Sequence, residues 1–192
     1  MIKADYHMHT HHSGDSDAPM EAMIESAIDR GLKEICFTEH LDLDFPDIYD
    51  LPPDPFTPDL DAYRDEIMHY RSLYKDKITV RHGLEIGLQP QVAEENRAVA
   101  KKYAFDFIIA SEHLVDKKDP YYPSFWENND HESIYKRFFD QTYENLGLFD
   151  DYDVLGHLDY ISRYEPGDVN TYSYSRYSEQ IDRILNHLIT HD

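Results

Sequence analysis

Hydrophobic and polar positions along the chain follow two periods, and each change of period marks an element. Ile2 to His9 alternates with period two, as a strand does, so Asp5, His7 and His9 project to one side. Met20, Met23, Ile24, Ala27 and Ile28 recur at helical spacing behind a capping Asp17, with Pro19 in the first turn and Gly31 as a stop. Glu34 to Thr38 reads as a second strand that runs into Glu39-His40. Strand, helix, strand in about 40 residues predicts a βαβ unit.

The alternation of periods continues. A helix is expected from Pro58, with Tyr63, Ile67, Tyr70 and Tyr74 on its apolar face. Ile78 to Gly87 is a third strand and Pro90 to Tyr103 a helix. Phe105 to Ala110 is apolar enough for a strand buried on both faces, as parallel strands are. A helix from about His131 to Leu148 precedes a short strand at Val154-Leu155-Gly156. Ser173 to Ile189 has helical spacing at Tyr177, Ile181, Ile184, Leu185 and Leu188. Two long loops interrupt the pattern. Leu41 to Pro58 carries five prolines and reads as a lid or binding loop, and Leu114 to Asp130 carries an aromatic run read as loop packing. The fold class is therefore α/β with parallel strands.

Composition narrows the function. The chain has 192 residues, of which 41% are hydrophobic, enough for one domain with its own core. Its net charge of −21 argues against a nucleic-acid partner, which needs a basic face, and against an anionic membrane surface. No stretch approaches 18 apolar residues, and no basic-then-apolar leader opens the chain, so a soluble cytoplasmic protein is expected. The single cysteine, Cys36, excludes an internal disulfide.

The 12 histidines are the unusual number. His7 and His9 stand about 6–7 Å apart on one strand face, close enough to share an ion. His40, Glu85, His113 and His157 each fall at or just past the end of another strand. In parallel barrels such ends converge on one rim, where active sites are built. Imidazole with carboxylate suits zinc, manganese or iron, and the absence of clustered cysteines argues against a structural zinc finger. Glu85, midway in the set, is the natural bridging carboxylate. Two bridged ions can clamp a phosphoryl displacement and lower the pKa of a water between them. His82 has the opposite strand parity and should point away. His11 and His12 sit near the site in the first loop, and His69, His131, His187 and His191 fall elsewhere.

Five short runs carry a resemblance: Asp5-Tyr6-His7-Met8-His9-Thr10, Phe37-Thr38-Glu39-His40, Gly83-Leu84-Glu85, Ser111-Glu112-His113 and Gly156-His157-Leu158-Asp159. In this order the chain resembles the PHP (polymerase and histidinol phosphatase) family, and within it the histidinol-phosphate phosphatases. The resemblance implies a distorted parallel β/α barrel, seven-stranded in the family, of which about five βα units are present here. It implies two or three divalent ions. His7, His9 and Glu85 would hold the first, Glu85, His113 and His157 the second, and His40 with Asp15 the third, Asp17 being the competing choice. Glu85 and His40 are the implied catalytic residues, and Arg163 is placed to bind the phosphate.

The implied reaction is hydrolysis of a small phosphate monoester, L-histidinol phosphate, by a metal-activated hydroxide, in histidine biosynthesis. Asp42, Asp44 and Asp47 are candidates for holding the substrate's ammonium. The family's late Asp-X-His pair has no counterpart in these residues, so residues 1–192 are expected to form a single, C-terminally incomplete PHP domain. Its exposed edge would favour a homo-oligomer. The alternatives are a PHP phosphodiesterase or exonuclease, against which the charge counts, and a metal-binding chain without turnover.

Overall fold

The computed structural model describes residues 2–47, 51–167 and 171–191. Residues 48–50 of the first long loop and 168–170 of the loop after His157 lie outside the described residues. The strands are β1 (Ala4–Met8), β2 (Glu34–Leu41), β3 (Thr79–Gly87), β4 (Phe107–Ser111) and β5 (Val154–Leu155). All pair in parallel, in the order of the chain. Between them run α1 (Met20–Asp29), α2 (Leu60–Tyr74), α3 (Ala93–Tyr103), α4 (Pro123–Trp126) and α5 (His131–Leu146), and α6 (Tyr174–Thr190) follows β5.

The sheet is curled into a half-barrel. Flat, its two edge strands would stand about 19 Å apart. Instead the rings of His7, on β1, and His157, just past β5, lie 5.4 Å apart. The curl gathers the C-terminal ends of all five strands over one point. At the sheet's centre the register sets His40 beside Glu85 on neighbouring strands.

Two apolar clusters hold this scaffold. Met20, Ile24 and Ala27 of α1 pack with Tyr63 and Ile67 of α2 against Ile35, Phe37 and Val80. Phe138 and Phe139 of α5, with Tyr177, Ile181 and Ile184 of α6, cover Leu84, Ile86, Ile108 and Ala110. The helical spacing read from the sequence matches these faces, except that Leu185 of α6 is exposed.

Several boundaries differ from the sequence reading. α1 starts at Met20 with Pro19 at its N-cap, so Asp17 does not cap it. α2 starts at Leu60, capped by Asp59, whose carboxylate accepts from the N–H groups of Asp61 and Ala62. β2 continues through Glu39 and His40 to Leu41, because the ladder to β3 holds as far as Ile86. Strand pairing overrides the polarity of those residues.

Candidate metal centre

Glu85 is fully buried near the end of β3, and its two oxygens face different groups. Oε1 accepts a hydrogen bond from Ser111 Oγ at 2.7 Å and lies 3.2 Å from His113 Nε2 and 2.9 Å from His157 Nε2. Oε2 lies 3.1 Å from His7 Nε2, 3.4 Å from His9 Nε2 and 3.1 Å from His40 Nδ1. The structure thus brings His7, His9, His40, His113 and His157 onto one carboxylate. The rings of His9 and His40 stack at 4.2 Å.

These contacts are short, yet Glu85 Oε2 and His40 Nδ1 have no aligned hydrogen bond. Imidazole nitrogens therefore surround the oxygen at contact distance without donating to it. His7, His9 and Glu85 offer three ligand atoms within 4.8 Å of one another, as do Glu85, His113 and His157, and His40, Asp42 and His113. A buried carboxylate among converging nitrogen lone pairs is the donor chemistry of a divalent-cation site, and the residues fit one.

The buried charges of the site shift one another. Burial pushes the Glu85 carboxyl up, but His113 and the other imidazoles overcome it and hold it well below the usual carboxylate range. Burial lowers His113, and the carboxylates of Asp42 and Glu85 outweigh that and raise it well above an ordinary imidazole. His9 is held down to about 4, by burial first and by His40 next.

The sequence reading did not assign Asp42 this position. It lies just past β2, two residues after His40 and of the same parity, and is 4% exposed. Its Oδ1 accepts from His113 Nδ1 at 2.8 Å, which fixes the tautomer and leaves Nε2 facing Glu85. Gly87 makes room, since a Cβ there would collide with the Asp42 carboxylate. Asp42 Oδ1 is therefore engaged by His113, while its Oδ2 lies 3.6 Å from His40 Nδ1. Asp44 is likewise paired, with Lys117 at 2.9 Å.

The remaining candidates lie around this nest. Asp15 is half exposed, with Oδ2 3.5 Å from His40 Nε2, while Asp17 is exposed. Arg163, in a 3-10 turn at Tyr160–Arg163, lies over the Tyr160 ring at 6.0 Å, and Tyr160 packs on His113 and His157 at 5.0 Å each. His82 turns to the opposite face of β3, against Phe105 and Tyr63. His187 and His191 stack on each other at the end of α6. His11 and His12 meet Glu66 of α2. Glu39 and Glu112, beside two of the histidines, face away from Glu85. Glu39 accepts from Thr10 N, Thr10 Oγ1 and Ser13 Oγ, and so fastens the turn after His9. Among the described residues no helix is long and apolar enough to cross a membrane.

The chain is similar to known proteins in sequence and in structure. The PHP domain family matches residues 5–192. A histidinol-phosphatase of Lactococcus lactis is 33% identical over 189 residues, covering 98% of this chain and 68% of that protein. A probable histidinol-phosphatase of Clostridium acetobutylicum is 33% identical over 188 residues, covering 96% and 68%. The crystal structure of the Lactococcus lactis histidinol phosphate phosphatase, complexed with zinc, L-histidinol and phosphate, superposes with a TM-score of 0.90 at 32% identity, over 98% of this chain and 70% of that one. This chain, with its curled parallel sheet and its strand-end histidines, belongs to the PHP domain family.

Proposed function

We propose that this protein is a metal-dependent phosphomonoesterase that hydrolyses L-histidinol phosphate to L-histidinol and phosphate. One observation carries the reading: Glu85 divides its two oxygens between two sets of imidazoles, the arrangement of a carboxylate that bridges cations. Divalent ions bound there supply positive charge to phosphate oxygens and make water a nucleophile near neutral pH. The zinc, L-histidinol and phosphate in the Lactococcus lactis complex support both the metal class and the substrate.

The chain's own residues divide the work. His7 and His9 hold one side of the Glu85 carboxylate and His113 and His157 the other, giving the two ions of our reading. His40, between Asp15 and Asp42, would serve a third. Zinc is favoured, with manganese and iron as the other ions such donors accept. Asp42 and Ser111 keep His113 and Glu85 from rotating. Arg163 brings a positive charge to the phosphate, whose transition state needs charge neutralised on its equatorial oxygens. The reaction serves histidine biosynthesis, and the cytoplasm is its expected setting.

The test is metal content per chain together with phosphate release from L-histidinol phosphate. At least two ions, with turnover abolished by a chelator and restored by zinc or manganese, is the expected result. One ion and no turnover would overturn the reading in favour of a metal-binding chain without catalysis.

A further inference from the structure

The turn after His9 carries two more imidazoles that the Glu85 nest does not use. Ser13 N donates to Thr10 O at 2.9 Å, so His11 and His12 are the central residues of a β-turn. Their Nε2 atoms converge on a single oxygen of α2: Glu66 Oε2 is 3.3 Å from His11 and 2.7 Å from His12. The two rings lie 4.4 Å apart. We propose that His11, His12 and Glu66 form a further divalent-cation site of zinc-binding type, separate from the nest around Glu85.

The donor set is two imidazoles and one carboxylate, the combination that binds zinc tetrahedrally with one position left for water or an exchangeable ligand. With metal–ligand bonds of about 2.0–2.1 Å, tetrahedral donors stand about 3.3 Å apart. His11 and Glu66 already have that separation, and a small rotation of His12 opens the other pair. The three donor atoms all lie within 4.8 Å of one another, and none of the three residues belongs to the groups around Glu85.

Each donor is separately anchored. Thr10 and Ser13, on either side of the two histidines, are fastened to the buried Glu39. His12 rests 5.4 Å from the ring of Tyr63, whose hydroxyl donates to the carbonyls of Phe37 and Gly83 in the sheet. Glu66 projects from α2, one residue before the fully buried Ile67. The site is open on one side: the His11 side chain is 44% exposed, against 11% for His12. A cation entering from solvent would thus meet preset ligands and would tie α2 to the turn that leads from His9 to Asp15.

The experiment measures zinc per chain by elemental analysis, at free zinc buffered below the level that single surface histidines bind. The wild type is compared with His11→Ala, Glu66→Gln and the double variant. His12 is left intact because its ring packs on the core. The expected result is that each single variant holds one ion fewer than the wild type and that the double variant loses no more. Cobalt(II) titration should show the same equivalent missing from the visible absorption of the variants. Equal zinc content in the wild type and both single variants would overturn the proposal. So would loss of more than one ion, since that would mean the turn serves only the Glu85 nest. The readout is binding alone, so it is independent of whether the protein turns over a phosphate ester.

Discussion

Glu85, on β3, and Glu112, one residue past the end of β4, are both buried, and they are satisfied in opposite ways. Glu112 accepts from Gln141 Nε2 at 2.6 Å and Asn145 Nδ2 at 2.8 Å, both on α5. Amide N–H groups are permanent donors and complete a carboxylate by themselves. Glu85 has one donor of settled direction, the Ser111 hydroxyl, and is otherwise faced by five imidazole nitrogens whose role depends on the tautomer. Burial pushes Glu112 up to about 8, because its amide partners carry no charge. The same burial at Glu85 is overruled by His113 and its neighbours. Burial alone therefore does not mark a metal carboxylate; the chemistry of its neighbours, which decides whether the group stays ionised, does.

The strongest way to break this contrast is Glu85→Gln. An amide would present an N–H₂ to one of the two imidazole sets and remove the charge that bridges them. Loss of bound metal and a fall in phosphate release of at least about 10³-fold are expected. Retained metal with wild-type turnover would place the centre elsewhere. Asp42→Asn comes next. It keeps the shape but allows His113 to take the wrong tautomer, for an expected 10- to 100-fold loss of metal affinity or activity. Competition with a chromophoric chelator reads the affinity, and an unchanged value would make Asp42 a bystander.

Glu112→Gln should behave as the converse. The amide keeps the size of the side chain and, like the carboxyl that burial pushes up to about 8, carries no charge near neutral pH. Metal content should stay at the wild-type value, and its loss would erase the distinction between the two carboxylates.

The nest was legible in the sequence because strand parity is strict. His7, His9, Glu85, His113 and His157 are strand-end residues, and a curled parallel sheet has one place where such ends meet. His82 was legible for the same reason, three residues before Glu85 and thus on the other face. Asp42 was not, because it lies where the pattern reads as loop, and its role depends on the exact height at which β2 ends beside Gly87. Glu66 was hidden differently. On the polar face of a helix any glutamate looks solvated, and only the docking of α2 against the His11-His12 turn gives it partners. Parity and period are local properties; the meeting of a helix face with a distant turn is tertiary.

His82 allows the two faces of β3 to be compared by pH, with the smallest effect of the set. Its ring is buried against Phe105 and Tyr63, and its Nε2 has no hydrogen-bond partner. Burial first, and the nearby Arg71 next, lower it from 6.5 to about 4. In the unfolded chain it is an ordinary imidazole. Between those two values the unfolded state takes up a proton that the folded state refuses. The contribution to stability is therefore complete above about pH 6.5 and declines as pH falls toward 4. His82→Phe fills the same space without a titrating group. Its stability curve should be flatter across that window than the wild type's, by an amount on the order of 2 kcal/mol. Chemical denaturation at a series of pH values reads the difference, and parallel curves would mean that His82 is protonated, or free to reach water, inside the fold.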